Sequence, residues 1–126
     1  MAIDARRADA RRALGAAGED AVARWYTEAG YRVLDRNWRC REGELDLIVA
    51  RPGFVVFCEV KTRSSTAFGS PAEAVTITKQ RRLRTLASRW LSEHPDARAR
   101  ELRFDVAAVL AARGTAPVID VIEGAF

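Results

Sequence analysis

The pattern of apolar and polar positions predicts two helices and four or five strands along the chain. Apolar residues recur at helical spacing between about Leu14 and Ala29, and Gly30 is placed to end that helix. The residues predicted to face the sheet from this helix are Leu14, Ala17, Ala21, Val22 and Trp25. A second helix is predicted to start after an N-cap at Thr78 and to run to about Glu93. Its apolar stripe consists of Leu83, Leu86, Ala87, Trp90 and Leu91.

The extended segments indicate a mixed α/β sheet. They are predicted at Tyr31–Trp38, Glu44–Ala50, Phe54–Lys61, Phe104–Leu110 and, as an edge-like strand, Ala116–Ile122. A meander of three strands followed by a crossover helix implies a sheet of four to five strands with helices on its faces. The length of 126 residues fits a single domain, 1–126.

Charged residues interrupt the two most apolar strands, which are joined by a turn at Pro52-Gly53. Asp46 lies in the first strand, and Glu59 and Lys61 lie in the second. If Arg51 pairs with Phe54 across the turn, Asp46 lies opposite Glu59 and Glu44 opposite Lys61. Directly opposed residues share one face, with Cβ atoms about 5 Å apart. The hairpin therefore predicts two neighbouring carboxylates with an ammonium beside them.

Two close carboxylates repel each other unless a cation lies between them. Mg²⁺ uses one or two carboxylates and keeps positions for water and phosphate oxygens. Lys61 would orient a water or offset charge on a phosphate, so the set favours metal-assisted phosphodiester hydrolysis. The alternative is a cross-strand ion pair of Lys61 with Glu59 or Asp46, without metal. Glu44 would be a further outer acid or the salt-bridge partner of Lys61.

Composition adds a modest positive excess. Lys and Arg number 21 against 17 acids, which gives a net charge of +4. The excess fits nucleic acid as a partner, and it equally fits a solvated Arg-rich surface. The segment 1–12, with Arg6, Arg7, Arg11 and Arg12, is either a frayed helix start or a mobile basic arm.

Several other polar residues receive structural predictions. Cys40 and Cys58 form no CxxC pair, which argues against a zinc site, and Cys58 is predicted to lie in the core. Asp105 is predicted to be a strand-end acid paired with an arginine. Gly18, inside the first helix, marks a close approach to another backbone. Without a signal peptide or a spanning apolar run, we expect a cytoplasmic protein that does not contact membrane.

The hairpin sequence resembles a known family. Gly43 to Ile48, read as Gly-Glu-Leu-Asp-Leu-Ile, and Phe57 to Lys61, read as Phe-Cys-Glu-Val-Lys, resemble the YraN-like branch of the PD-(D/E)xK nuclease superfamily. That branch comprises small bacterial proteins similar to archaeal Holliday-junction resolvases. Leu45 stands where the superfamily has a proline. The block Phe68–Val75 resembles a second block of the same family.

The resemblance implies a restriction-endonuclease-like fold and a set of site residues. Asp46 and Glu59 match the ligands of Mg²⁺ or Mn²⁺, and Lys61 matches the catalytic lysine. Glu19 matches the helix position whose carboxylate reaches the metal. Gln80 and Lys79 match, by position, a residue that approaches the site. Analogy with resolvases suggests a homodimer.

The sequence therefore favours a divalent-metal-dependent endonuclease that acts on DNA, including branched or single-strand-containing structures. Basic residues at the start of the second helix are predicted to bind phosphates: Lys79, Arg81, Arg82 and Arg84. Two alternatives remain open. One is a nucleic-acid-binding module without turnover, and the other is an adaptor that docks repair or recombination proteins.

Overall fold

A computed structural model describes residues 2–64, 75–97, 101–112 and 114–126, without the side chains of residues 2–4. The elements, in chain order, are α1 (Ala2–Glu28), β1 (Arg32–Cys40), β2 (Gly43–Arg51), β3 (Phe54–Arg63), α2 (Ile77–Glu93), β4 (Glu101–Leu110) and β5 (Val118–Ile122). In the described part of the chain, no helix has the length and apolar character that crossing a membrane requires.

The five strands form one mixed sheet in the order β1-β2-β3-β4-β5. The first three strands are an antiparallel meander, β4 runs parallel to β3, and β5 pairs antiparallel with β4. Parallel neighbours need a crossover connection, and α2 lies in the one between β3 and β4. The predicted mixed sheet flanked by helices is confirmed, and it is compatible with a restriction-endonuclease-like fold.

Each face of the sheet carries its own apolar core. The α2 side packs Leu83, Leu86 and Trp90 of the helix against sheet residues that include Phe57 and Phe104. The α1 side packs Val22, Ala23 and Tyr26 against Leu47, Val49, Val56 and Cys58. Cys58 is therefore a core residue, as predicted.

The predicted apolar face of α2 is confirmed, whereas that of α1 needs correction. Leu83, Leu86, Ala87 and Trp90 are all buried. On α1, Val22 is buried and Trp25 packs against the core, as predicted, but Ala17 is exposed, and Gly18, Ala23 and Tyr26 are buried instead. The helix is therefore rotated relative to the prediction, because the large Tyr26 occupies the core and a glycine makes the close contact.

Several element boundaries also differ from the prediction. The segment 1–12, left open as a helix start or a mobile arm, is helical from Ala2, where α1 begins. Thr76 is the N-cap of α2, not Thr78: its backbone is extended, and its hydroxyl accepts the Lys79 N–H at 3.2 Å. Strand β4 begins at Glu101 because its ladder with β3 starts at the pair Phe54–Glu101. Strand β5 begins at Val118.

Gly18 fixes the position of α1 against the end of β3. A Cβ atom at Gly18 would lie 1.8 Å from Thr62 Oγ1, which is too close for any side chain. The predicted close approach is confirmed, but its partner is a side chain rather than backbone. Residues 68–74 of the second family-like block lie outside the described residues, and Val75 at its end is buried.

Candidate functional site

The register of the β2–β3 hairpin is the predicted one. Arg51 pairs with Phe54, and the ladder continues to the pair Leu47–Cys58. Gly53 has a φ of 88°, as the third residue of a type II turn requires. The ladder ends one pair before Asp46 and Glu59, so these two residues lie where the strands separate.

The separation begins at Asp46 itself. Residues two apart in a strand ordinarily share a face, but Leu45 packs in the α2-side core and Leu47 in the α1-side core. Asp46 Oδ2 accepts the Val60 N–H at 2.9 Å. The carboxylate thus takes the place of a strand carbonyl at the end of the ladder, and this bond anchors Asp46 to β3.

Asp46 and Glu59 form a buried pair of acids. Each is 9% exposed. Burial raises the pKa of Asp46 to about 7, and the negative charge of Glu59 acts in the same direction. The two carboxylates therefore lie close enough to repel each other, as the hairpin register predicts.

Two lysines contact the same oxygen of Glu59. Lys61 Nζ lies 3.2 Å from Glu59 Oε1, and Lys79 Nζ lies 3.1 Å from it. Burial lowers the pKa of Lys61, and the neighbouring Lys79 lowers it further. The pKa of Lys79 is raised: burial lowers it, but contact with Lys61 and Glu59 outweighs burial. Lys61 is thus the lysine of the pair that loses its proton more easily.

The contact between Lys61 and Glu59 supports the alternative of an ion pair without a metal ion. The two residues lie on the same strand, however, and not on two neighbouring strands. The predicted partnership of Glu44 with Lys61 is wrong. Glu44 Oε2 accepts from Arg39 Nε on β1 at 2.9 Å, and both side chains are exposed. Because β2 is paired with β3 only from Leu47 onward, Glu44 does not face Lys61, and it pairs with a residue of its other neighbouring strand, β1.

Glu19, on α1, is an electrostatic neighbour of the pair of acids. Burial raises the pKa of Glu19, while a hydrogen bond from Asn37 and the charge of Arg36 act in the opposite direction. The charge of Glu19 in turn raises the pKa of Asp46, so the two acids are neighbours. Across residues 2–64, 75–97, 101–112 and 114–126, no cluster of three or more Asp, Glu, His or Cys side chains could hold a metal ion.

Helix α2 brings Lys79, and not Gln80, into contact with the acids. Gln80 Nε2 donates to the Val75 carbonyl at 3.2 Å, which ties it to the chain preceding its own helix. Arg81 and Arg82 are exposed on the first turns of α2. Arg84 is stacked on aromatic rings, with its guanidinium 4.9 Å from the centroid of Phe104.

Sequence reasoning missed a second buried acid, Asp105, which is completely buried. Tyr26 donates to Asp105 Oδ2 at 2.6 Å, Arg103 donates to both oxygens at 2.9 and 3.0 Å, and the Gly124 N–H donates at 3.0 Å. The predicted arginine partner is confirmed. The strand-end position is wrong, because Asp105 lies in the middle of β4. Its place within the run Phe-Asp-Val-Ala-Ala-Val was the available signal.

The chain is similar to known bacterial sequences over most of its length. Residues 18–109 match the uncharacterised protein family UPF0102. A UPF0102 protein of Beutenbergia cavernae is 54% identical over 115 residues, covering 91% of this chain and 97% of that protein. Corresponding proteins of Rhodococcus opacus and Frankia casuarinae are 53% and 56% identical, over 90% and 93% of this chain and 96% and 98% of theirs.

Proposed function

This chain belongs to the uncharacterised protein family UPF0102, and we propose that it is a divalent-metal-dependent endonuclease hydrolysing phosphodiester bonds in DNA. The proposal includes membership of the PD-(D/E)xK nuclease superfamily. Branched or single-strand-containing DNA is the proposed substrate, by likeness to the resolvases.

One observation carries the proposal. Asp46 and Glu59 are buried next to each other at the point where β2 and β3 separate, with the Lys61 ammonium 3.2 Å from Glu59. Like charges that are buried together cost free energy unless a cation offsets them. A fold that keeps such a pair beside an amine is arranged for chemistry on a charged group.

The donor atoms fit a hard cation such as Mg²⁺ or Mn²⁺, the proposed cofactor. The hydrogen bond and ion pairs of the two acids use Asp46 Oδ2 and Glu59 Oε1. Among the described residues, neither Asp46 Oδ1 nor Glu59 Oε2 has a hydrogen-bond or ion-pair partner. Two carboxylate oxygens are thus left to face an ion, and water and phosphate oxygens would complete its shell.

Such an ion, when bound, supplies Lewis-acid stabilisation of the charge that develops on the phosphate. The chain's own groups do the rest. Lys61, with its lowered pKa, orients the attacking water or takes up its proton. Lys79, on α2, contacts Glu59 Oε1, and this contact fixes the rotamer of the Glu59 side chain. Glu19 acts from outside the pair, through water, and Gln80 assists by holding the start of α2.

DNA as the substrate is supported by charge. Arg81 and Arg82 are exposed on α2 within one turn of Lys79, so they lie near the site without filling it. Arginine binds phosphate through two parallel hydrogen bonds and reads no base in doing so. The expected binding is therefore loosely sequence-dependent and strongly dependent on salt.

Cleavage of branched and linear DNA with Mg²⁺ or Mn²⁺ tests the proposal. The native chain is expected to cleave, and Asp46→Asn and Lys61→Met are each expected to lose roughly 100-fold or more in rate. Asp120→Asn is a matched control, because it removes an exposed acid from β5. If Asp46→Asn and Lys61→Met cleave as fast as the control, the assignment of the site is wrong.

A nucleic-acid-binding module without turnover is the second candidate, and one specific observation favours it. Two acids and two lysines meet at this site, so their charges cancel without a metal ion. Calorimetric titration with Mn²⁺ separates the candidates. Heat of binding that disappears in Asp46→Asn supports the nuclease, whereas no binding in the native chain supports the module.

A further inference from the structure

The first half of α1 extends beyond the sheet at the end that carries the candidate site. Tyr26 is bonded to Asp105 in the middle of the sheet, and Gly18 lies against Thr62, the penultimate residue of β3. The helix therefore runs along β3 in the opposite direction. Residues Ala2 to Ala17 precede Gly18 and extend the helix about 24 Å beyond it, at 1.5 Å per residue. Most of this first half of α1 therefore packs on no described strand.

The burial of α1 agrees with this projection. Residues 5–7 and 9–13 are exposed, in contrast to the buried Gly18, Val22 and Tyr26 on the second half. Because their apolar content is so low, the first three turns of α1 gain no stability from packing. Its exposed part is instead rich in arginine: Arg6, Arg7, Arg11 and Arg12.

Helical periodicity places two of these arginines above the end of the sheet. Arg7, Arg11, Gly18 and Val22 are separated by four, seven and four residues, the spacings that keep residues on one face of a helix. Gly18 and Val22 face the sheet, so Arg7 and Arg11 continue the same line beyond its edge. Arg6 and Arg24, about five turns apart, lie on the far side of α1.

Three of the four arginines in the first half of α1 are not neutralised within the described chain. Arg12 pairs with Asp9, but Arg6, Arg7 and Arg11 form no ion pair with any described residue. Two guanidinium groups without an ion pair to a described residue, four residues apart on a projecting helix, complement a regular row of phosphates. Glu59 and Lys61 lie at the same end of the sheet, on the face that α2 covers.

We propose that the Arg7–Arg11 face of α1 is a DNA-backbone clamp, which holds the phosphates next to the strand lying at Asp46 and Glu59. The clamp rests on the proposed function in one respect, that DNA is the partner. It adds a second contact surface to that of α2. The contact reads phosphates and no bases, so it positions the substrate without selecting a sequence.

Two matched double variants test the clamp. Arg7→Ala/Arg11→Ala removes the two arginines that continue the sheet-facing line of α1 beyond the end of the sheet, and Arg6→Ala/Arg24→Ala removes two arginines from the far side. Both variants have two fewer positive charges, and alanine preserves the helix. Fluorescence anisotropy of a labelled branched DNA in EDTA, over a series of KCl concentrations, gives the slope of log affinity against log salt without requiring cleavage.

The clamp predicts that Arg7→Ala/Arg11→Ala reduces that slope by about 1.8, which is about 0.9 for each phosphate that an arginine no longer neutralises, while Arg6→Ala/Arg24→Ala keeps the native slope. Equal slopes for the two double variants would overturn the clamp, and so would a native chain that does not bind DNA. Helix content measured by circular dichroism shows that each variant is folded.

These outcomes are distinguishable from a failure of the proposed function. If the slopes differ as expected but the native chain does not cleave with Mg²⁺ or Mn²⁺, the clamp stands and the nuclease assignment fails. If the native chain cleaves and the two slopes are equal, the nuclease stands and the clamp fails.

Discussion

Two buried acidic sites lie in the same sheet, and they are built in opposite ways. Asp105 accepts from Tyr26, Arg103 and the Gly124 N–H, which together satisfy both of its oxygens. Asp46 accepts one backbone N–H, and another acid, Glu59, lies beside it.

The contrast separates structural from functional burial of charge. Asp105 is surrounded by donors that belong to three distant parts of the chain, so its charge stabilises the fold. Burial raises the pKa of Asp46 to about 7, which means that the folded chain holds its charged form at a cost. We interpret the Asp105 site as structural and the Asp46 site, where Asp46 has one backbone donor and another acid beside it, as the place where a ligand binds.

Replacement of aspartate by asparagine should change the unfolding free energy by different amounts at the two sites. This difference is the largest effect that we expect. Asp105→Asn removes the buried charge partner of Arg103, which keeps only the exposed Glu123 at 3.8 Å, and should cost about 3–5 kcal/mol of unfolding free energy. Asp46→Asn at pH 7 should cost less than about 1 kcal/mol or stabilise the protein, since it removes a buried repulsion.

Urea unfolding measures both variants, and Asp20→Asn is the control. Asp20 makes an exposed ion pair with Arg36 at 2.6 Å, a kind of contact that contributes about 0–1 kcal/mol. Equal losses of stability at Asp105 and Asp46 would remove the distinction between the two sites.

Added Mn²⁺ should stabilise the protein through one site only. A ligand at about 100 times its Kd adds about 2.7 kcal/mol to the unfolding free energy. We expect this gain for the native chain and for Tyr26→Phe, because the Asp105 site takes no part in it. Thermal unfolding of Asp46→Asn with and without Mn²⁺ completes the test, and a full gain in that variant would contradict the proposed site.

The pH dependence of the metal-free protein should carry the signature of Asp46. Its pKa is raised from 3.8 to about 7 in the folded state, so folding takes up a proton between these two values. Protonation of Asp46 makes its full contribution to the unfolding free energy below about pH 4, and this contribution is lost as the pH rises towards about 7.

The native chain should therefore lose about 2 kcal/mol relative to Asp46→Asn between about pH 5 and pH 7. Urea unfolding of the two proteins in EDTA at both pH values gives this difference directly. A difference of the opposite sign would show that the charged form of Asp46 is stabilised in the metal-free protein, which would contradict its interpretation as a carboxylate held at a cost beside Glu59.

Tyr26→Phe should have a smaller effect than Asp105→Asn. It removes the 2.6 Å hydrogen bond to Asp105 and leaves the aromatic packing of the ring in place. We expect a loss of about 1–2 kcal/mol by urea unfolding, because the other donors to Asp105 remain. Thr27→Ala, which removes an exposed hydroxyl bonded within the same helix, is the control for a substitution that changes no buried partner.

The hairpin was predictable because Pro52-Gly53 fixes its register and the charged residues interrupt an apolar run. The roles of Lys79 and Gln80 were not predictable by position, since the rotation of α2 decides which side chain reaches Glu59. The network at Asp105 depends on Tyr26 and Gly124, residues 79 and 19 positions away. Local periodicity carries no information about partners at such distances.

Gly18 constrains how this protein can vary. A methyl group there would meet Thr62 Oγ1, and α1 would have to move outward, carrying Glu19 away from Asp46 and tilting the projecting arginines. Substitutions at positions 18 and 62 are therefore tolerated only together, with a larger side chain at one position matched by a smaller one at the other. The position of the Thr62 hydroxyl thus sets the angle at which α1 extends beyond the sheet.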